Sequence, residues 1–202
     1  MKPFGRPGCY DYEDLMAKPA AGEERGGTVN AYVETVESPA GPLAFAVDEG
    51  GDLIRLRFVE SDYGPVVERE LEDEGYVVVS DRARTARVRE ELSEYAAGQR
   101  ATFDAPLAFD GSDWQKAVWR ELTCIPFGET RSYGEIADRL GRPGAARAVG
   151  RANATNVLPL VVPCHRVIAA DGTLGGFNGG LHLKSRLLDH ERRVLAASPD
   201  AG

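Results

Sequence analysis

The pattern of apolar and polar positions along the chain changes near residue 110. Before that point short stretches alternate in the manner of β-strands, and two stretches have helical spacing. The predicted strands cover residues 30–37, 42–47, 53–59 and 76–79, and the predicted helices cover 66–74 and 83–97. Gly75 and Gly98 follow the two helices, as is common at helix C-termini. The mixture of strands and helices predicts an α/β domain over residues 29–109.

Helical signals dominate beyond residue 110. The segments 112–115 and 132–135 both match a capping box, in which a Ser hydroxyl caps an early backbone N–H and a later Gln or Glu reaches back. The predicted helices begin at residue 112, cover 132–140 and 145–152, and finish with 183–195. A turn containing Gly141 and Gly144 joins the second and third helices, which is a helix-turn-helix pattern. We therefore predict a mainly helical domain over residues 110–195.

The ends of the chain lack such periodicity. Residues 1–28 are rich in Pro, Gly and charge and are interpreted as a mobile extension, and residues 196–202 as a C-terminal tail. The first residues show no apolar run behind a basic start, and no segment approaches the roughly 18 apolar residues that a membrane span needs. We expect a cytoplasmic protein, or a nuclear one in a eukaryote.

The formal charge of −8 argues at first against nucleic acid as a partner. Its distribution changes that interpretation, because residues 1–109 carry 22 acidic and 12 basic side chains, whereas residues 110–202 carry 10 acidic and 12 basic ones. The second part, with a net charge of +2, can approach phosphates, and the first part, at −10, should not.

Of the three cysteines, Cys164 is the candidate for chemistry because His165 follows it directly. A thiolate is the nucleophilic form, and an unassisted thiol is only a few per cent ionised at neutral pH. Adjacent side chains diverge, so a bridging water is needed to connect the pair, and a carboxylate such as Glu191 would orient the imidazole. Cys9 is interpreted as incidental and Cys124 as a core thiol. The other two histidines, His182 and His190, are expected at the surface.

The segments around Cys164 resemble the O6-alkylguanine-DNA alkyltransferase family, also called methylated-DNA–protein-cysteine methyltransferases. The resemblance rests on residues 163–167 (Pro-Cys-His-Arg-Val), the glycine-rich 172–180, Lys184, 187–191, 125–133, 145–150 and Asn156. It is dense over residues 112–191. It implies a ribonuclease-H-like α/β domain followed by a helix-turn-helix, winged-helix-like domain. It also implies DNA repair by a single irreversible transfer of an alkyl group from O6-alkylguanine to the protein, with O4-alkylthymine left open as a second substrate.

The same resemblance implies roles for individual residues. Cys164 is the alkyl acceptor, His165 takes its proton through water, and Glu191 orients His165. Asn156 braces the turn that presents the cysteine, and Tyr133 donates a proton or hydrogen bond to the leaving guanine. The residues implied to bind the base are Tyr133, Val167, Gly176, Phe177 and Asn178, and backbone groups of Cys164, Val167 and Asn178 are implied to contact the edge of the guanine. Those implied to bind DNA are Ala145, Ala146, Arg147, Ala148, Gly150 and Arg151, with Arg147 filling the gap left by a flipped nucleotide.

Physical reasons accompany these roles. An alkyl group on O6 lies within the base stack, so the nucleotide must be flipped out before attack. A thin helix rich in Ala and Gly suits the minor groove, which is about 6 Å wide, and an inserted side chain can hold the duplex open. Asn178 stands where many relatives have a small hydroxyl residue or glycine, which leaves the preferred alkyl size open. We expect no cofactor, no metal, no membrane association and a monomer.

Three other functions compete with repair. A DNA-binding module that recognises alkylguanine without repairing it would lack the acceptor cysteine. A helix-turn-helix transcription regulator would need a better base-reading helix than one with Ala, Gly and a single Arg. A cysteine hydrolase with a Cys-His-Glu triad would need a different placement of Cys164 and His165, which are adjacent in sequence. Mass analysis of the Cys164 peptide after incubation with O6-methylguanine DNA separates all three from repair.

Overall fold

The computed structural model describes residues 29–59, 65–108 and 110–197. Its first part is a four-stranded sheet of β1 (Val29–Ser38), β2 (Gly41–Val47), β3 (Leu53–Phe58) and β4 (Tyr76–Val79), in the order β3-β2-β1-β4. The first three strands are antiparallel, and β4 lies parallel to β1. The predicted turn between β2 and β3 is confirmed, since the carboxylate of Asp48 accepts from the backbone N–H groups of Gly50 (2.8 Å) and Asp52 (3.0 Å).

One helix covers each face of this sheet. Helix α1 (Val66–Asp73) buries Val67 and Leu71 against small and aliphatic side chains of the sheet. Helix α2 (Ala86–Ala96) buries Val88, Leu92 and Tyr95 against the opposite face. It begins three residues later than predicted, because residues 82–84 form a turn in which Asp81 accepts from the N–H of Ala83 at 2.9 Å.

The second part is mainly helical, as predicted. Its elements are α3 (Asp113–Thr123), β5 (Arg131–Ser132), α4 (Tyr133–Arg139), α5 (Ala146–Ala154), a 3₁₀ turn (Cys164–Arg166), β6 (Val167–Ile168) and α6 (Leu181–Ala197). Both capping boxes are confirmed: Ser112 accepts from the N–H of Gln115 at 3.4 Å, and Ser132 from that of Glu135 at 3.2 Å. The two-residue strands β5 and β6 pair in parallel and were not predicted, because two residues carry no periodicity.

One hydrophobic core, separate from the smaller cluster between α1 and the sheet, runs across both parts. It joins sheet residues such as Leu43, Phe45 and Leu56 to Trp119 and Leu158 of the helical part. The face of the sheet that carries α2 is thereby closed by the helical part, and a backbone bond from the N–H of Leu56 to the carbonyl of Val157 (3.0 Å) fixes the contact. The segment before Cys164 is therefore held directly against the sheet.

Several sequence-based expectations need correction. His190 is buried, and its Nε2 lies 3.0 Å from the carbonyl oxygen of Tyr95, so it is not a surface residue. Cys124 is half-buried at the end of α3 and is not part of the core. Helix α6 extends through Ala197, so the predicted tail at 196–202 begins too early. Residues 1–28, the predicted extension, lie outside the described residues. No helix of the described part has the length and apolarity to cross a membrane.

Candidate active site

Cys164 begins the 3₁₀ turn and is 5% exposed. The chain reaches it through a tight turn in which buried Leu160 adopts a left-handed conformation, with φ 82°. Asn156 holds this turn from inside: its Nδ2 donates to the carbonyl of Val162 at 2.8 Å, and its Oδ1 accepts from the N–H of Leu158 at 3.0 Å. These two hydrogen bonds from one buried side-chain amide fix the backbone of the turn that leads to Cys164. The structure thus places Asn156 where the sequence analysis expects a brace.

His165 lies next to Glu191 of α6, and both side chains are fully buried. Nε2 of His165 is 2.9 Å from Oε1 of Glu191. A carboxylate only accepts hydrogen bonds, so Nε2 carries the proton and Nδ1 carries the lone pair. Nδ1 is buried and has no hydrogen-bond partner among the described residues. The imidazole is therefore set to accept a proton at Nδ1.

Glu191 binds more partners than the sequence suggested. Besides His165 it accepts from the hydroxyl of Tyr95 at 2.8 Å, from the backbone N–H of Gly128 at 2.8 Å, and from Nε and Nη2 of Arg166 at 2.9–3.1 Å. Arg166 also donates to the carbonyl of Ile125 at 2.7 Å. The partners of Glu191 and Arg166 come from three separate stretches of the chain, at residues 95, 125–128 and 165–166. Because no local pattern links the stretches, sequence reasoning missed Tyr95 and the role of Arg166.

Burial controls the charges at this site. Removal from water raises the pKa of the Cys164 thiol to about 11, although the hydrogen bond from Asn156 and the charge of Lys184 act in the opposite direction. Burial also lowers the pKa of His165, against the attraction of Glu191. Burial alone would raise the pKa of Glu191, but its bonds to His165 and Arg166 lower it well below the usual range. At neutral pH the site holds a thiol, a neutral imidazole and a carboxylate, so the thiol needs a base.

A pocket of about 550 Å³ opens above Cys164. It is lined by Tyr133, Ala146, Arg147, Gly150, Asn153, Ala154, Cys164, Gly176, Phe177 and Asn178. Eight of these ten were predicted as site residues, and Asn153 and Ala154 were not. Both lie on α5, and Asn153 donates from Nδ2 to the carbonyl of Cys164 at 3.4 Å. Their spacing from Gly150 along one helix face was the signal available in the sequence.

Val167 is the predicted base-binding residue that the pocket does not include. Its side chain is fully buried, its backbone N–H bonds to the carbonyl of Cys164, and its own carbonyl accepts from Lys184. The contact between the backbone of Val167 and the base, which the resemblance implies, stays a prediction.

Tyr133 faces Cys164 across the pocket. Its hydroxyl donates to the carbonyl of Gly176 at 3.4 Å, and its ring lies so close to Gly175 that a Cβ there would come within 3.0 Å of it. Gly175 also has φ +65°, so two independent constraints favour glycine at this position. Burial and the neighbouring Cys164 raise the pKa of the Tyr133 hydroxyl, which keeps it protonated as a donor.

The predicted DNA-binding residues of α5 do not all share one face. Arg147 is exposed and lines the pocket together with Ala146 and Gly150, and Arg151 is exposed farther along the helix. Ala148 is half-buried, and its carbonyl accepts from the indole N–H of Trp114 at 3.3 Å. Ala145 packs against the hydrophobic core. The free face of the helix is consequently narrower than the sequence pattern indicates.

The arrangement combines a buried thiol, an imidazole oriented by a carboxylate and a phenolic hydroxyl around one pocket. In the part of the chain that the structure describes, no group of three or more His, Cys, Asp or Glu side chains is placed to hold a metal ion. The chemistry that these side chains can perform is nucleophilic attack by sulfur on a group held in the pocket.

Comparison with known proteins connects this site to a named reaction. Residues 113–193 match the family described as 6-O-methylguanine DNA methyltransferase, DNA binding domain. A methylated-DNA–protein-cysteine methyltransferase of Mycobacterium bovis is 45% identical over 161 residues, which cover 80% of this chain and 92% of the relative. One from Shigella flexneri is 42% identical over 168 residues, covering 80% and 96%. The crystal structure of Mycobacterium tuberculosis OGT in complex with DNA superposes with a TM-score of 0.69 at 43% identity, covering 81% of this chain and 94% of that one.

Proposed function

The chain belongs to the methylated-DNA–protein-cysteine methyltransferase family, and we propose that it repairs DNA by moving an alkyl group from O6-alkylguanine onto its own Cys164. The observation that carries this proposal is the position of the Cys164 sulfur in the wall of a pocket, backed by a buried imidazole and carboxylate. The pocket volume of about 550 Å³ lies in the range typical of small-molecule sites, roughly 300–1,000 Å³.

In the proposed reaction the thiol proton passes through a bridging water to Nδ1 of His165. The resulting imidazolium is stabilised by Glu191 at 2.9 Å, and the sulfur attacks the alkyl carbon. A carbon–sulfur bond forms as the carbon–O6 bond breaks, and the electron pair of the broken bond goes to the guanine. The leaving guanine takes up a proton from a donor in the pocket. The proton lost by the thiol is therefore matched by the proton gained in the new N–H of guanine.

Tyr133 is the proposed donor to the leaving guanine. Tyr133 lines the pocket, and its hydroxyl donates to the carbonyl of Gly176, another lining residue. A phenol with a raised pKa keeps its hydrogen at neutral pH and offsets the negative charge that grows on the base. The imidazolium of His165 can restore any proton that Tyr133 gives up.

DNA reaches the site from the exposed face of α5. Ala146, Gly150 and Ala154 make this face thin, which fits a minor groove about 6 Å wide. Arg147 is exposed at the edge of the pocket, where its side chain can take the place of the flipped nucleotide. Gly176, Phe177 and Asn178 form the opposite edge, where their backbone groups can contact the extruded base. Arg151, farther along the helix, is a candidate phosphate contact.

We also propose that the two parts are a ribonuclease-H-like domain over residues 29–109 and a winged-helix-like helix-turn-helix domain over 110–195, acting as a monomer. The mixed strand order β3-β2-β1-β4 supports the first assignment. The second is supported by α4 and α5, which pack together, and by the small β5–β6 ladder beside them.

Stoichiometry is the decisive test of this function. A thioether on Cys164 has no good leaving group, so transfer should stop at about one alkyl group per protein molecule. Excess O6-methylguanine DNA is titrated against a fixed amount of protein. The protein is then digested, and the mass of the peptide that contains Cys164 is measured. A plateau at one methyl group, found on Cys164, supports the proposal. Turnover of several groups per molecule, or an unmodified Cys164 peptide, contradicts it.

A further inference from the structure

The pocket loop (residues 174–180) forms one edge of the pocket, and four of its seven residues are glycines. Gly179 and Gly180 adopt positive φ values of 122° and 95°. Glycine leaves the backbone freer than any other residue does, so the position of this loop depends on its contacts with the rest of the protein. Within the loop, Phe177 supplies the apolar side chain that lines the pocket.

Hydrogen bonds hold the backbone at the start of the pocket loop. The ammonium of Lys184 donates to the carbonyl of Leu174 and, at 3.4 Å, to that of Gly176. Farther along, the side-chain amide of Asn178 donates to the carbonyl of Ala154 at 3.5 Å. These bonds act on polar groups and leave the aromatic ring of the loop to be held by packing.

The ring of Phe177 packs on the ring of Phe58, the last residue of β3. The two ring centroids are 6.3 Å apart and the ring planes are inclined by 52°, which lies within the range of favourable aromatic pairs. Both side chains are half-buried and pack against the core that joins the two parts. Phe177 lines the pocket and Phe58 does not, so the sheet part contacts the aromatic wall from outside the pocket.

The end of β3 is also fixed to the chain that leads to Cys164. The backbone N–H of Leu56 donates to the carbonyl of Val157 at 3.0 Å, and Nη1 of Arg57 donates to the same carbonyl at 3.5 Å. One short segment of the sheet, residues 56–58, thus contacts both the chain before the cysteine and the pocket loop. The position of the aromatic wall relative to the sulfur therefore depends on β3.

We propose that Phe58 is a positioning residue that, through Phe177, sets how efficiently large aromatic O6-alkyl groups such as benzyl are transferred. This proposal rests on the proposed function, in which the alkyl group lies between the guanine and Cys164. A methyl group makes few contacts of its own, so its transfer depends on the position of the base. A benzyl group brings a second ring into the pocket, so its alignment with the sulfur depends on the walls. Small displacements of a reacting group slow a reaction strongly.

The test compares two substrates that differ only in the alkyl group. O6-methylguanine and O6-benzylguanine are placed in the same duplex, and single-turnover rates are measured for the wild type and for Phe58→Ala. The variant should transfer the benzyl group about tenfold more slowly, at the low end of what one methylene contact in a pocket contributes to discrimination. Because methyl transfer does not depend on the wall, its rate should fall by much less.

Two further variants control for size and for stability. Phe58→Leu keeps an apolar side chain against Phe177 and should recover part of the benzyl rate. Val36→Ala on β1 truncates another half-buried side chain that packs against the same core, away from the pocket lining. It should leave the ratio of the benzyl rate to the methyl rate at the wild-type value.

A double-mutant cycle shows whether Phe58 acts through Phe177. Phe177→Ala removes the wall itself, so the addition of Phe58→Ala to that variant should change the benzyl rate little. Residues that act through one contact give non-additive effects, whereas independent residues give additive effects. Additive losses in the double variant would overturn the proposal, because Phe58 would then affect the reaction by another route.

The ratio of the benzyl rate to the methyl rate decides between the outcomes. A ratio that falls in Phe58→Ala but not in Val36→Ala supports the proposal. A ratio that is unchanged or higher in Phe58→Ala overturns it, and so does wild-type protein that transfers methyl but not benzyl. If wild-type protein transfers neither group, the proposed function fails instead. Urea unfolding shows whether Phe58→Ala is folded. If it is not, Phe58→Leu takes its place, and a wild-type ratio in that variant overturns the proposal.

Discussion

The two parts of the molecule use charged side chains in different ways. In the sheet part the ion pairs are peripheral, as in Arg100 with Glu94 (2.6 Å) or Arg89 with Glu34 (2.7 Å), and at least one partner remains in contact with solvent. In the helical part His165, Arg166, Lys184 and Glu191 are all 4% exposed or less. Surface pairs contribute about 0–1 kcal/mol each. Buried charges cost several kcal/mol unless fully paired, so the second group is the costlier one for folding and is, on our proposal, the group that serves the reaction.

Two carboxylates make this contrast specific. Glu34 and Glu191 both have a lowered pKa, because hydrogen bonds and arginines outweigh the burial that would raise it. Glu34, about 10% exposed, holds α2 to the sheet through Thr85 and Arg89. Glu191 is fully buried and holds the imidazole that faces Cys164. A similar electrostatic signature therefore serves packing in one part and, on our proposal, catalysis in the other.

The largest expected effect is that of Cys164→Ser. This variant should abolish alkyl transfer, because the hydroxyl is a much weaker nucleophile than the thiol, and should bind duplex DNA nearly as well as wild type. On our proposal the DNA contacts are made by α5 and by phosphate-binding groups, which the substitution leaves intact. Transfer is measured with methylated duplex, and binding with the same duplex at fixed salt. Transfer by the serine variant at a rate comparable to that of the wild type would show that Cys164 is not the alkyl acceptor.

Glu191→Gln should slow transfer at neutral pH by about ten- to a hundredfold, since it weakens a general base whose full contribution is about 10²–10⁴. It should also lower stability by about 3 kcal/mol, because Arg166 keeps a buried charge without a counter-ion. Raising the pH should partly restore the rate, as alkali begins to ionise a thiol whose pKa is about 11. The measurement is the pH–rate profile together with urea unfolding.

Glu34→Gln is the control in the sheet part for this experiment. It should leave the pH–rate profile unchanged and should lower stability by less than Glu191→Gln does.

The folded-state pKa of Glu191 is lowered, so its stabilising effect is present above about pH 4.5 and is lost as the pH falls below that value. Identical pH–rate profiles for Glu191→Gln and wild type would show that Glu191 is structural, as Glu34 is.

Arg147→Ala should reduce repair of duplex DNA by about tenfold while leaving the reaction with free O6-benzylguanine nearly unchanged. A free base needs no flipping, so a side chain that fills the vacated stack matters only in the duplex. Arg82→Ala is the matched control, because Arg82 is an exposed arginine of the sheet part that pairs with Glu34. It should affect neither substrate. Equal losses on both substrates for Arg147→Ala would assign that residue to the pocket or to folding.

Local signals made much of this molecule predictable from its sequence. The capping boxes at Ser112 and Ser132, the glycine stops and the strand alternation each depend on residues within one element, and the structure has them where expected. The candidate site was also within reach, since Cys164, His165 and Asn156 lie close together in sequence. Their roles as acceptor, base and brace stay predictions until the experiments above are done.

Long-range contacts account for what the sequence did not reveal. His190 was interpreted as a surface residue because the residues around a histidine in an amphipathic helix do not show whether its side chain is buried. It is buried because α2 packs across α6 and offers the carbonyl of Tyr95. The bond from Tyr95 to Glu191 spans 96 positions, and the bond from Gly128 spans 63. Contacts of this kind depend on how two parts pack, which periodicity does not encode.

The smallest effect is expected from Tyr95→Phe, which tests whether the sheet part takes part in the chemistry. The Tyr95 hydroxyl donates to Glu191 at 2.8 Å, while its ring packs against Phe127 and His190 at centroid distances of 5.8 and 5.3 Å. Phenylalanine keeps the ring and removes one donor from a buried carboxylate. Stability should fall by about 1.5–3 kcal/mol, in keeping with the loss of a hydrogen bond to a charged group.

The transfer rate of Tyr95→Phe should change by less than about threefold, because Glu191 keeps His165, Arg166 and the N–H of Gly128 as partners; a free-energy change of 0.6 kcal/mol corresponds to about that factor. Single-turnover rates and urea unfolding of the same preparation give both quantities. A stable variant with a rate loss as large as that of Glu191→Gln would mean that one hydroxyl of the sheet part sets the geometry of the relay. In that case the sheet part would not serve packing alone, because its residue Tyr95 would contribute to catalysis in the helical part.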